Sequence, residues 1–240
     1  MEAGTPLAID GSHGEGGGQL LRTAMALAVL CQRPLRVFNI RAARPRPGLA
    51  AQHLTAVRAL AEVCAARVEG LAPGSREILF QPGTVRPGRY RFDVGTAGSI
   101  ALVLQALLPV AVASQAPFSF HLTGGTDVEH APPLDYLAQV LLPLLARMGA
   151  RVDLRLLRRG YYPRGGGAVQ VDIAPGGPLR ALVLDRPGAL RAVEVHAHTA
   201  RLPDHVAQRM AEAARQVLAA QLAAPVTVQT TRWPPETALG

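Results

Sequence analysis

Two stretches of this chain carry the same punctuation at nearly the same spacing, and that internal echo limits the fold more than any single motif does. Pro34 answers to Pro117 at a separation of 83 residues, Pro47 to Pro132 at 85, and Ala66-Arg67-Val68 to Ala150-Arg151-Val152 at 84. Between these landmarks the hydrophobic pattern switches period in the same order. Apolar residues over 20–30 recur at helical spacing, and Pro34 then introduces a strand-like run over 35–40. A second helix follows Pro47-Gly48 through Leu54, Val57, Leu60 and Val63, and β-like segments lie at 67–69, 77–81 and 90–94. Helix, strand and helix return at 98–113, 117–122 and 132–148. The spacing therefore predicts an α/β (α+β) fold of repeated βαβαββ units over residues 1–178. A third unit is expected from about residue 179, with strands at 181–184 and 192–198, a helix at 203–222 and a strand at 226–230. The run Trp233-Pro234-Pro235 and onward reads as a loop leading elsewhere, so 179–240 is expected to be a truncated start of that unit.

At 240 residues and 49% hydrophobic content the chain can bury a sizeable core. No apolar run is long enough for a membrane span, and residues 1–7 lack the regions of a secretion signal, so a cytoplasmic address is expected. Cys31 and Cys64 fall in apolar helical patterns and are expected as buried free thiols. The formal net charge is +8, and all 25 basic residues are arginine. Without lysine there is no Schiff base and no P-loop lysine, and covalent nucleotidyl transfer would have to use another side chain, histidine above all. Arginine grips phosphate through a two-pronged fork and stacks on bases, which suits a nucleic-acid end. A genome that favours arginine and alanine codons explains the composition equally well.

The most informative stretch is Asp10-Gly11-Ser12-His13-Gly14-Glu15-Gly16-Gly17-Gly18-Gln19-Leu20-Leu21-Arg22, a strand end passing through a glycine turn into a helix. Glycines allow close backbone approach to phosphate, and the free N–H groups of a helix start attract anions. Glu15 inside such a cradle would repel phosphate unless a cation lay between, which makes it a candidate Mg²⁺ or Mn²⁺ ligand, against a solvated carboxylate favoured by the helix dipole. The loop from Arg41 through Arg44 and Arg46 sets three guanidinium groups at another helix entrance, with Gln52 and His53 one turn inside. It reads either as an anion site or as a solvated charge run. Asp93-Val94-Gly95-Thr96-Ala97-Gly98-Ser99 repeats the turn-to-helix device, and Gln105 on the helix it opens needs a hydrogen-bond partner if buried. Loops at 123–133, holding Pro132 and Pro133, and at 161–167 complete the set. His196 and His198 share a strand face with His205 further on; zinc is conceivable there, and ordinary strand and helix positions are preferred.

These segments, in this order, are similar to RNA 3'-terminal phosphate cyclases: GEGGGQLLR from Gly14, IRAARPRPGLAAQHL from Ile40, FDVGTAGSIALVLQALLP from Phe92, GGTDVEHAPPLDYL from Gly124 and GYYPRGGG from Gly160. The resemblance covers about residues 7–180. It implies repeated βαβαββ units with a smaller α/β module inserted near the C-terminus, into which residues 179–240 lead. It also implies ATP and a divalent cation (Mg²⁺ or Mn²⁺) as cofactors and an RNA 3'-phosphate as substrate. A histidine takes AMP from ATP, AMP passes to the RNA 3'-phosphate, and the adjacent 2'-OH closes a 2',3'-cyclic phosphate. By position, Glu15 resembles the metal ligand and Arg22 a phosphate contact. Arg41, Arg44, Gln52 and His53 resemble residues around the terminal phosphate and the ATP phosphates. Gln105 matches a nucleotide-binding glutamine, and Pro132 or Pro133 falls where the family packs a proline against adenine. His13 matches no family histidine. The family's nucleophilic histidine lies in a C-terminal region without a counterpart here, and none of the seven histidines matches it. A non-catalytic cyclase-like RNA- or protein-binding module, or a transferase for a small phosphorylated substrate, remains the alternative.

Overall fold

A computed structural model describes residues 5–14, 16–234 and 237–239, and Leu239 by its backbone alone. The first unit consists of β1 (Leu7–Asp10), α1 (Gly18–Leu30), β2 (Leu35–Phe38), α2 (Ala51–Val63), β3 (Arg67–Glu69) and β4 (Ile78–Gln81). The second consists of β5 (Gly88–Asp93), α3 (Ile100–Ala113), β6 (Phe118–Gly124), a compound helix, β7 (Arg151–Gly160) and β8 (Gly167–Ala174). In that compound helix, α4 (Leu134–Tyr136) and α5 (Leu142–Arg147) are joined by a π-helical turn over Leu137–Leu141. The sheets have the same plan. The first runs β1-β2-β4-β3 and the second β5-β6-β8-β7, each with a parallel first pair and antiparallel partners beyond it. Two units of one topology account for the sequence echo.

The packing follows from the apolar pattern. Alternation along β6 turns Phe118, Phe120 and Leu122 inward, and β8 supplies Val169, Val171 and Ile173 to the same side. Tyr90 and Phe92 of β5 stack against Phe118 and Phe120 with ring centroids 6.0–6.4 Å apart. Helix α3 buries residues all round, from Ile100 and Leu104 to Val110, because α1 and α2 flank it. Each sheet therefore has helices on one face and charged side chains on the other. Full burial of Phe120 stabilises the fold by roughly 1.5–3 kcal/mol relative to exposure.

Residues 175–192 form no regular element, and Val183, Leu184 and Leu190 are exposed. The strand expected at 181–184 is therefore absent. Its apolar run is real, but no described strand pairs with it, and an unpaired extended segment has no ladder to stabilise it. Beyond it, β9 (Val193–Ala200), α6 (Asp204–Gln221) and β10 (Val226–Trp233) form one parallel β-α-β unit in which α6 buries only Ala207 and Ala211. A short β11 (Ala238–Leu239) then pairs with the end of β7. Cys64 is buried as expected, whereas Cys31 is exposed: it sits just past the last turn of α1, on the side away from the core. Among the described residues, no helix is long and apolar enough to cross a membrane.

Candidate functional site

A cavity of about 1080 Å³ opens where the start of α1 meets α2 and α3. The glycine turn forms its floor. Gly14 and Gly16 hold φ of 62° and 59°, a left-handed conformation that costs glycine nothing and other residues a good deal. Gly17 is the residue before α1 and has no side chain with which to cap it. A Cβ on Gly18 would overlap His53 Nε2 and come within 2.8 Å of Arg22 Nη1, so the absence of a side chain there leaves both groups facing the cavity. Arg44 Nη2 lies 3.5 Å from the place a Cβ on Gly17 would take.

Arg22 is the most constrained cation of the site. It lies one turn into α1, buried, and its Nε donates to Gln105 Oε1 at 3.0 Å. Burial drags its pKa down to about 10, still far above neutrality. Arg41 stands on a loop at φ 54° and donates to Gly48 O at 2.7 Å; burial first, and Arg44 second, lower its pKa. Among the described residues no carboxylate pairs with Arg22 or Arg41.

His53 complements them. Its Nδ1 accepts the Ala50 N–H at 3.2 Å, so a neutral ring carries its proton on Nε2, the atom beside Gly18 and Arg22. Burial, then the charges of Arg41 and Arg22, push its pKa down to about 4. At neutral pH it is an uncharged donor aimed at an anion. Gln52 also lines the cavity, and its Oε1 accepts the Ser99 N–H at 3.1 Å across the two units.

Of the residues marked in sequence, the cavity thus gathers Arg22, Arg41, Arg44, Gln52, His53, Gln105 and Pro132. Pro133 is not in its wall; it precedes the first turn of α4. Glu15 lies outside the described residues. His13, given no role from sequence, lines the cavity with Glu129 and His130. The Arg22–Gln105 pair was open to sequence reasoning through one signal. Their separation is 83 residues, the repeat spacing itself, so symmetric packing of the units brings equivalent positions face to face.

A second polar cluster forms around Arg159, a residue that carried no sequence signal. Arg159, at the end of β7, donates to both Asp127 and Asp135, and its guanidinium lies 5.1 Å from the Trp233 ring centroid. Tyr161 OH meets His198 Nδ1 at 2.8 Å, and desolvation pushes the phenol up to about 12. Asp127, Asp135 and His198 are close enough to share an ion. Arg159 already occupies both carboxylates, so the cluster is built as a seam between the second unit and the β9-α6-β10 unit. His196, by contrast, only approaches the exposed Glu194 at 3.5 Å.

A family model described as RNA 3'-terminal phosphate cyclase matches residues 13–232. A protein of that name from Nitrosospira multiformis is 55% identical over 86% of this chain and 58% of its own length. Relatives of the same name from Methanopyrus kandleri and Hyperthermus butylicus are 50% and 51% identical over 89% and 90% of this chain, and 61% and 60% of their own lengths. The chain spans about three fifths of the length of these curated relatives.

Proposed function

This chain belongs to the RNA 3'-terminal phosphate cyclase family, and from that premise we propose that its cavity binds ATP and an RNA 3'-phosphate for cyclisation. The observation that carries the reading is the convergence of Arg22, Arg41, His53 and Gln105, from two repeat units, on one cavity beside a helix start that opens on glycines. In the reaction, AMP is joined to the RNA 3'-phosphate after pyrophosphate has left. The 2'-OH then attacks phosphorus, a bond to O2' forms, and the bond to AMP breaks. Phosphate oxygens gather negative charge throughout, and donors fixed in advance stabilise that charge without rearranging. Arg22, with Nε spent on Gln105, offers its two Nη groups; His53 Nε2–H and the α1 amides complete the cradle. The cavity is wide enough to hold a terminal phosphate and the ATP phosphates side by side, which is what AMP transfer needs.

Glu15 is the proposed Mg²⁺ or Mn²⁺ ligand, and Pro132 supplies an apolar surface for adenine. A bound divalent ion would offset the charge of the ATP phosphates next to the glycine turn. His53 is a poor nucleophile, since Nδ1 accepts from Ala50 and Nε2 holds the proton, so AMP transfer is not assigned to it. We assign residues 1–178 to the main domain and 179–240 to the start of a third repeat and an inserted module, and we place the protein in the cytoplasm as an RNA-processing ligase.

Equilibrium binding of labelled ATP with Mn²⁺, and of matched short RNAs ending in a 3'-phosphate or a 3'-OH, tests the reading. The expected outcome is a preference for the 3'-phosphate, loss of both ligands on the order of tenfold in Arg22→Gln, weaker Mn²⁺ dependence in Glu15→Gln, and no acid-labile AMP adduct. Equal affinity for the two RNA ends would sink it.

A further inference from the structure

The two sheets share a topology but not a charge pattern on their open faces. On the first, Arg36 of β2 is locked to Glu77 through bonds of 2.7 and 3.0 Å, and β3 exposes Arg67 beside Glu69. On the second, edge strand β5 turns Tyr90 and Phe92 to the core and Arg89 and Arg91 to solvent, and among the described residues neither arginine has an acidic partner.

Strand register extends each arginine into a row across the sheet. Arg91 stands opposite His121 of β6, which pairs with Gln170 of β8, which pairs with Arg155 of β7. That row holds no acid. In the adjacent row, Arg89 faces Ser119, then Asp172, then Asp153. Asp172 is the carboxylate at the centre, and its oxygens are already engaged: Ser119 Oγ at 2.6 Å, Arg155 Nη2 at 2.6 Å and Gln170 Nε2 at 2.9 Å. Those donors, Ser119 foremost, hold its pKa below the usual range. Asp153 reaches Arg155 Nε at 3.4 Å, and Asp93, next along β5, accepts the Gly95 N–H at 2.8 Å. Asp153 and Asp172 are engaged by Arg155, while among the described residues Arg89 and Arg91 have no acidic partner. The two rows line a depression of about 500 Å³.

The face also leads to the main cavity. β5 ends in the turn from Asp93 to Ser99, whose last amide is held by Gln52 of the cavity wall. Arg91 is two residues back from Asp93, about 7 Å along an extended strand, and Arg89 as far again. Resting on the cyclase reading, we propose that the open face of the second sheet carries the phosphodiester backbone of the single-stranded RNA whose 3' end sits in the cavity. Arg91 and Arg89 hold successive phosphates without reading bases, since phosphate contacts position a chain and carry no sequence information.

Fluorescence anisotropy with a 3'-phosphorylated RNA of about twelve nucleotides and with a 3'-phosphorylated dinucleotide tests this on the full chain. Arg89→Ala with Arg91→Ala is expected to weaken the longer RNA at least tenfold. It should also flatten its log affinity against log salt by about 1.4, two contacts at roughly 0.7 each for single strands. Dinucleotide and ATP binding should stay unchanged, as should every ligand in Arg36→Ala on the first sheet. If the double variant binds the longer RNA as tightly as the parent, or loses the dinucleotide equally, the proposal is overturned. Should the dinucleotide fail to bind the parent while the longer RNA still depends on both arginines, the cavity reading fails and the sheet face stands.

Discussion

The chain starts a helix after a glycine turn twice, and the two starts have been put to different uses. At α3, Ser99 Oγ accepts the Leu102 N–H at 3.2 Å, Thr96 Oγ1 accepts the Gly98 N–H at 3.1 Å, and Gln52 takes the Ser99 N–H. Protein atoms satisfy these donors. At α1 the residue before the helix is Gly17, which has no side chain to cap it, and among the described residues the polar groups beside Gly18 are Arg22 and His53, which are donors like the amides themselves. One copy closes on itself and fixes Gln52 in the cavity wall; the other collects donors that an anion can satisfy. A repeated unit can thus keep its topology while one copy gives up local stability for binding.

The largest expected effect that sharpens this contrast is the pH dependence that His53 brings to the first unit. His53 titrates near 4 when folded and near its ordinary value when unfolded. Between those values the unfolded chain takes up the proton and the folded chain does not. Stability is therefore full above about pH 6.5, falls as pH drops toward 4, and loses up to roughly 3 kcal/mol across the window. Urea melts across that range should show the fall, and His53→Gln should remove most of it; an unchanged slope would break the contrast. Next comes Gly18→Ala, which sets a methyl against His53 and Arg22 and is expected to weaken ATP binding on the order of 100-fold, about 2.7 kcal/mol, read by calorimetric titration. Smallest is Ser99→Ala. It should cost about 1 kcal/mol of unfolding free energy as a lost helix cap while leaving ATP affinity within about twofold.

Much of the fold was legible because proline and glycine mark boundaries locally and the repeat marks them twice. What local pattern could not supply was partnership. Residues 181–184 look like a strand, yet no described strand pairs with them. Cys31 follows an apolar run and still faces outward, because the helix ends there. At the site, the glycine turn and the arginine loop were visible as motifs, and their meeting with Gln105 needed the packing of α1 on α3. The link between Arg159 and both Asp127 and Asp135 had no signal at all, since it joins three loops and strand ends that only the tertiary fold brings together. Glu15, singled out from sequence, lies outside the described residues, so its placement rests on the motif alone.

By composition the 25 arginines are interchangeable, and this chain uses no lysine among them. The bond from Arg22 Nε to Gln105 sets one of them apart. A compact ammonium presents its donors from one point, whereas a flat guanidinium holds the glutamine with one edge and keeps the other for a ligand. At that position codon habit and chemical need coincide, and a lysine there would lose the two-edged hold.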